Sequence, residues 1–158
     1  MCKVTVRHRW VEDAACPIEI GRGLLPSVVP ELRREFPDLR PFVVSDRNVV
    51  RSGHLDALLN GEKIEHYVMD PPGETSKNIA TVTAIVNAME RLALGRDTVV
   101  LALGGGTVGD VAGFAAAIYK RGVPIVHAPT TTIAQADSSI GGKTGVDSDR
   151  SKNAFGAF

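Results

Sequence analysis

Gly104-Gly105-Gly106-Thr107-Val108-Gly109 is the stretch of this chain whose residue types and spacing point most directly to chemistry. Gly104, Gly106 and Gly109 satisfy a G-x-G-x-x-G spacing immediately after the apolar run Thr98 to Leu103. Between a strand covered on both faces and a helix, glycine lets the backbone approach a pyrophosphate closely. The helix N-terminus then offers free N–H groups and the positive end of its dipole. The same glycines would equally serve a turn needed only for close packing of strand against helix. The acid that a standard dinucleotide fingerprint places about twenty residues onward is absent, because that region reads Lys120-Arg121-Gly122-Val123-Pro124. Asp46, at the carboxyl end of an earlier strand, can accept hydrogen bonds from a ribose or cap the helix that follows.

Three further stretches carry polar groups at strand-to-helix junctions. In Gly73-Glu74-Thr75-Ser76-Lys77, Thr75 or Ser76 can cap a helix, and Lys77 is either solvated or able to reach a phosphate or carboxylate. Pro129-Thr130-Thr131-Thr132 offers hydroxyls at the edge where open α/β sheets bind ligands, and reads as a functional loop or a plain cap. Asp137-Ser138-Ser139-Ile140-Gly141-Gly142-Lys143-Thr144-Gly145-Val146, with Lys152-Asn153, can enclose a polyanionic, polyhydroxylated ligand or form a flexible surface loop. It is not a phosphate-binding Walker loop, since that spacing would need glycine at Asp137. His8, His54, His66 and His127 show no metal-ligand spacing and read as surface or hydrogen-bonded core residues.

The elements that must position these groups alternate. Val4 to Arg7 and Pro17 to Ile20 read as short strands, and Leu24 to Phe36 as a helix that stops at Pro37. Phe42-Val43-Val44 is a compact buried strand, Val49 to Leu59 a helix, and Ile64 to Met69 the next strand. After the Pro71-Pro72-Gly73 turn, apolar residues at 79, 82, 85, 86, 89 and 92 predict a helix that Gly95 ends. Val108, Val111, Ala112, Ala115 and Ile118 allow the helix after the glycine loop to lie close to the sheet, and Val123 to Ala128 is expected as the last strand. The expected class is α/β, a Rossmann-like, open, mostly parallel sheet with helices on both faces.

Eighteen acidic residues balance eighteen Lys plus Arg, which argues against a nucleic-acid or membrane-surface partner. With 44% hydrophobic, 23% charged and 5% aromatic residues the chain reads as ordinary soluble globular material. Cys2 and Cys16 are too few for a disulfide framework, and the charged N-terminus lacks the apolar run of a signal peptide, so a cytoplasmic protein is expected.

Taken in order and spacing, Gly104 to Asp110, Pro129-Thr130-Thr131 and Asp137 to Gly145 closely resemble 3-dehydroquinate synthase. Gly73-Glu74 with Lys77, Tyr119-Lys120-Arg121-Gly122 and Lys152-Asn153 continue a resemblance that spans almost the whole chain and matches the N-terminal half of the family pattern. The resemblance implies a carbon–oxygen lyase of the shikimate pathway of aromatic amino acid biosynthesis. Such an enzyme converts 3-deoxy-D-arabino-heptulosonate 7-phosphate to 3-dehydroquinate and phosphate, with NAD and a divalent metal, zinc or cobalt. It implies that residues 1–158 are an NAD-binding N-terminal domain, that the helical metal-binding domain is absent from this chain, and that the fragment alone is inactive.

Carried over, Asp46, Asn48, Gly73, Glu74, Lys77, Gly105, Gly106, Thr107, Val108, Gly109, Asp110, Thr130 and Thr131 would hold NAD. Asp137, Lys143, Lys152 and Asn153 would face substrate or nicotinamide, the two lysines serving both sets. Arg121 would be offered to the substrate phosphate of a neighbouring subunit, making a homodimer part of the site. No metal ligand is expected here. Thr107, Asp147 and Ser151 depart from the residues usual in the family without removing a ligand. Alternatives are another sugar-phosphate cyclase, a glycerol-dehydrogenase-type oxidoreductase, or a non-catalytic NAD-binding or dimerisation module.

Overall fold

The computed structural model describes residues 16–158. Strands β1 (Arg40–Asp46), β2 (His66–Met69), β3 (Thr98–Gly104) and β4 (Ile125–Pro129) form one all-parallel sheet in the order β2-β1-β3-β4. Every residue of β3 is buried, so its side chains must find apolar partners on both faces. Phe42, Val44, Val100 and Ala102 point into one core, with Val82, Ile85 and Met89 of α4 (Ile79–Arg91) and Val108, Val111, Ala112 and Ala115 of α5 (Gly106–Ile118). Val43, Val99, Leu101 and Leu103 point into the other, against Val29 and Leu32 of α1 (Leu25–Glu35) and Leu55 and Leu58 further on. Full burial of each Val, Leu or Phe side chain contributes about 1.5–3 kcal/mol. The expected Rossmann-like sheet with helices on both faces is thus what these residues build.

Several local expectations are corrected. The helix expected over 49–59 is two helices, α2 (Arg47–Arg51) and α3 (His54–Leu59), because Gly53 between them takes a left-handed φ of 78°. The cap of α4 is Asn78, whose side chain accepts from the Thr81 N–H at 2.9 Å, rather than Thr75 or Ser76. Those two residues belong to a 3₁₀ turn over Glu74–Ser76, where the Ser76 hydroxyl donates to the Pro71 carbonyl. Helix α4 ends at Arg91, ahead of Gly95, and the chain turns at Ala93 with a φ of 49°. Pro17 to Ile20 forms no strand among the described residues; its side chains are exposed, and without a neighbouring strand its backbone has no ladder to join. Val4 to Arg7 lies outside the described residues.

Nor is β4 the last strand. After the short helix α6 (Thr132–Ala136), β5 (Thr144–Val146) pairs antiparallel with β6 (Phe155–Ala157). Of the glycine-rich segment 137–146, which reads as a ligand-enclosing stretch or a flexible loop, the last three residues therefore belong to a hairpin. Val146 is fully buried in the α4/α5 core, and α5 receives β5 at Gly113, where an added Cβ would lie 2.2 Å from Thr144 Cγ2. At the far end of α5, the Tyr119 hydroxyl donates to the Leu94 carbonyl at 2.6 Å and ties the helix to the turn before β3.

Gly113 sits mid-helix with a conformation any residue tolerates, so the dominant effect of Gly113→Val is on the packing against Thr144, which outweighs the smaller gain in helix propensity. Overpacking there should cost about 1–3 kcal/mol in chemical denaturation, by displacing the hairpin. An unchanged midpoint would show that the hairpin does not depend on this contact.

Candidate cofactor site

Strands β1 and β3 lie side by side in the sheet, and the chain leaves them in opposite directions, β1 toward β2 and β3 toward β4. Open α/β sheets bind ligands in the crevice that this divergence leaves at the carboxyl ends of the strands. Here those ends are Asp46 and Gly104. A cleft of about 440 Å³ opens there, lined by Asp46, Asn48, Gly73, Gly105, Gly106, Thr107, Val108, Thr130 and Thr131 of the expected cofactor set. Val49, Ser52 and His54 complete the wall and were not anticipated. Their only signal in the sequence was position, on the turn and short helices that follow Asp46.

Helix α5 starts inside this cleft. Its N-cap is Gly105, which provides no side-chain cap, so the first-turn N–H groups are open to an anion, with the helix dipole behind them. Gly104 is required for another reason: a Cβ there would lie 2.5 Å from Val108 Cγ2. A Cβ on Gly106, by contrast, would meet only Ser138 Oγ, at 3.5 Å. Both readings of the glycine run are thus present, close packing at Gly104 and at Gly105, where a Cβ would lie 3.3 Å from Thr131 Cγ2, and an open approach at Gly106.

The hydroxyl and carboxylate groups around the cleft are already partly engaged. Asp46 Oδ1 accepts from the N–H groups of Asn48 at 2.8 Å and Val49 at 3.0 Å, which makes Asp46 the cap of α2 as well as a lining residue. Thr131 caps α6 through Oγ1, which accepts from the Ala134 N–H at 3.3 Å, and the Thr130 N–H is held by the Gly104 carbonyl at 2.9 Å. Glu74 lies at the rim and joins three segments. Its Oε1 receives Lys152 Nζ at 2.6 Å, and its Oε2 receives the Thr107 hydroxyl at 3.3 Å. The bond from Lys152 holds the Glu74 carboxyl below the ordinary carboxylate range, against a smaller opposing effect of burial, and Glu74 raises Lys152 in turn.

This rim pair contributes to stability above the unfolded carboxylate value and loses that contribution as pH falls through the lowered Glu74 value. From the lysine side it is lost as pH rises through the raised Lys152 value. Both side chains are well exposed, so solvent screening keeps the contribution small.

Lys77 and Asp110 are not among the residues that line the cleft; they form an ion pair with each other. Lys77 Nζ lies 2.7 Å from Asp110 Oδ2, with side chains only 9% and 20% exposed. The Lys77 carbonyl accepts from the Asp147 N–H at 2.9 Å, so the same residue anchors the segment that leads out of β5. Gly109 is buried on the inner side of α5. Of the expected substrate-facing residues, Asp137 and Lys143 pair with each other at 3.0 Å in the open, and Lys152 reaches Glu74. Asn153 takes a left-handed φ of 52° and donates its N–H to Asp147 Oδ1 at 2.7 Å. Arg121 follows the opposite end of α5, one helix length or roughly 20 Å from the glycine loop, and this chain does not bring it to the cleft.

A divalent metal does not fit the described residues: they gather no group of three or more His, Cys, Asp or Glu side chains. His54, His66 and His127 lie on three separate elements, and His8 falls outside the described residues. No described helix is long and apolar enough to cross a membrane.

A sheet with this switch point and an uncapped helix start on glycine defines a Rossmann-like nucleotide-fold protein. Comparison with known proteins carries the assignment further. The family profile described as 3-dehydroquinate synthase N-terminal matches residues 67–158, more than half of the chain, and the chain belongs to that family. It is 46% identical over 150 residues to a 3-dehydroquinate synthase of Mesorhizobium japonicum, covering 92% of this chain and 39% of that protein. It is 44% identical over 146 residues to one of Symbiobacterium thermophilum, covering 90% of this chain and 41% of that protein. The chain thus spans about two fifths of the length of these relatives.

Among solved structures, a 2-epi-5-epi-valiolone synthase from Streptomyces hygroscopicus with NAD+ and Zn2+ bound superposes with a TM-score of 0.78 at 33% identity, covering 96% of this chain and 42% of that one. A 2-deoxy-scyllo-inosose synthase complexed with carbaglucose-6-phosphate, NAD+ and Co2+ superposes with a TM-score of 0.72 at 28% identity, covering 83% and 38%. A glycerol dehydrogenase from Schizosaccharomyces pombe shares the fold alone, with a TM-score of 0.61 at 19% identity.

Lys77→Met should cost about 3 kcal/mol in denaturant unfolding, since it leaves the Asp110 carboxylate poorly solvated and unpaired. The double substitution Lys77→Met with Asp110→Asn should recover most of that loss. Equal destabilisation of single and double variants would show that the pair is not what Lys77 contributes.

Proposed function

We propose that residues 1–158 are the NAD-binding part of a 3-dehydroquinate synthase. The observation that carries this reading is the uncapped start of α5 on Gly105 and Gly106, opening into a cleft at the switch point of the sheet. The pyrophosphate of NAD would lie on the first-turn N–H groups of α5, where it meets both hydrogen-bond donors and a favourable dipole. Asp46 and Asn48, on the β1 side, would hold a ribose, while Thr130 and Thr131 close the opposite wall. Glu74, with Lys152 and Thr107 attached to it, would border the nicotinamide end. NAD bound there would supply a reversible hydride acceptor for a ring hydroxyl of the substrate.

The substrate in this reading is 3-deoxy-D-arabino-heptulosonate 7-phosphate, and the products are 3-dehydroquinate and phosphate. Asp137, Lys143, Lys152 and Asn153 would face it; fixed lysine charges suit an anionic sugar phosphate and an oxyanion that develops during reaction. In the intact enzyme we propose a homodimer in which Arg121 of one subunit serves the substrate phosphate of the other. The similarity to cyclases solved with NAD+ and Zn2+ or Co2+ supports the same cofactors for the whole enzyme. The described residues of this chain do not supply the metal's ligands. Assayed with the sugar phosphate, NAD and zinc or cobalt, this polypeptide is expected to release no phosphate above background; clear release would overturn that expectation.

Calorimetric titration with NAD tests the cofactor reading directly. Gly106→Ala suits it, because the added methyl meets only Ser138 Oγ at 3.5 Å and alanine is favoured at a helix start. The expected result is saturable binding by the parent and affinity at least roughly tenfold weaker in Gly106→Ala, with stability kept or slightly raised, as a methyl under the pyrophosphate blocks close backbone approach. Equal affinity in both proteins would remove the glycine loop from the binding site.

A further inference from the structure

The β1 wall of the cleft ends in residues that the cofactor reading leaves without a role. Beyond Asp46 and Asn48 it runs on to Val49, Ser52 and His54. Val49 is buried and packs into the core on the α1 side, which gives this end of the cleft an apolar floor. Gly53, left-handed at a φ of 78°, separates α2 from α3 and lets the side chains on either side of it meet: Ser52 Oγ lies 2.5 Å from His54 Nδ1. The same hydroxyl donates to the Val49 carbonyl at 2.8 Å. A hydroxyl has one proton and a carbonyl can only accept, so with that proton on the Val49 side Ser52 Oγ meets the imidazole as an acceptor. Nδ1 then carries the hydrogen of the neutral ring, and Nε2 is left with a lone pair. Among the described residues Nε2 has no hydrogen-bond partner.

We infer that His54 reads the base of the nucleotide: its Nε2, held as an acceptor by Ser52, receives the exocyclic amino group of adenine. This contact rests on the cofactor reading, and the order of groups along the cleft carries it. With the pyrophosphate on the first turn of α5, a ribose at Asp46 and the nicotinamide end bordered by Glu74, the other base lies farther along the β1 wall, over Val49 and against His54. Adenine offers a donor at its six-position. Hypoxanthine, the same ring system with a carbonyl there, would bring a lone pair against the lone pair of Nε2. A site with a fixed acceptor favours the base that carries the donor, because the analogue leaves that acceptor unpaired.

The probes are NAD and nicotinamide hypoxanthine dinucleotide, which differ only at the purine edge. Calorimetric titrations at about pH 8, above the range in which imidazoles ordinarily take up a proton, should show NAD binding the parent about tenfold more tightly, the equivalent of one hydrogen bond. His54→Phe keeps a flat ring beside the base without the acceptor, and should bind the two dinucleotides within about twofold of each other. Ser52→Ala frees the ring to carry its proton on Nε2, and should shrink the preference while both dinucleotides still bind. A structural loss of the α2–α3 corner would instead weaken both equally and leave their ratio unchanged. Equal affinity of the parent for the two dinucleotides, or a preference that survives both substitutions, would overturn the role of His54 and leave the cofactor reading standing. No saturable binding of either dinucleotide to the parent would overturn the cofactor reading and the base contact together.

Discussion

A parallel strand at the centre of a sheet has no solvent side, and β3 accepts that constraint along its whole length. Its alternate side chains feed two separate cores, so α4 and α5 must cover one face while α1 and α3 cover the other. The strand can then end only where a helix leaves it at close range, which Gly104 permits by leaving room for Val108. The open N-terminus of α5, and with it the cleft, is a consequence of how β3 is buried and not an independent addition.

Around that helix start the polar groups fall into two layers. The cleft itself is lined mostly by backbone, hydroxyls and one carboxylate, groups that can meet a nucleotide without bringing competing charge. The paired charges lie outside that lining: Lys77 with Asp110 in a poorly solvated position, Lys152 with Glu74 in an exposed one. The difference in exposure separates their roles. A buried pair orients the elements that carry it, here α5, the turn before α4 and, through the Lys77 carbonyl, the segment after Val146. An exposed pair is weak and easily exchanged, which suits residues at the mouth of a site that has to admit a ligand.

The hairpin of β5 and β6 joins both layers. Its burial of Val146 and its contact at Gly113 place Asp147 against Lys77, and the turn that follows brings Lys152 to Glu74. Residues far apart in the chain, Glu74 and Lys152 among them, thus meet at the rim because a short antiparallel ribbon packs on α5. Membership of the 3-dehydroquinate synthase family accounts for the order of these motifs, and the packing accounts for their meeting.

The sheet elements were legible in the sequence because β3 is an unbroken apolar run and α4 carries Val82, Ile85 and Met89 at helical spacing; burial on two faces and on one leaves those two signatures. The glycine spacing after β3 marked the start of α5 for the same reason, since close approach demands small residues. The break at Gly53, the capping of α4 by Asn78 and the pairing of β5 with β6 could not be read in that way. Each depends on which of several competent residues wins a local competition, or on a partner strand distant in the chain. Asp46 does act as the cap that its place after a strand allowed, whereas the burial of Lys77 with Asp110 and the place of His127 against α5 were decided by tertiary structure. A charge or an imidazole has no periodicity of its own, and only the packed neighbours determine whether it faces water, a ligand or a buried partner.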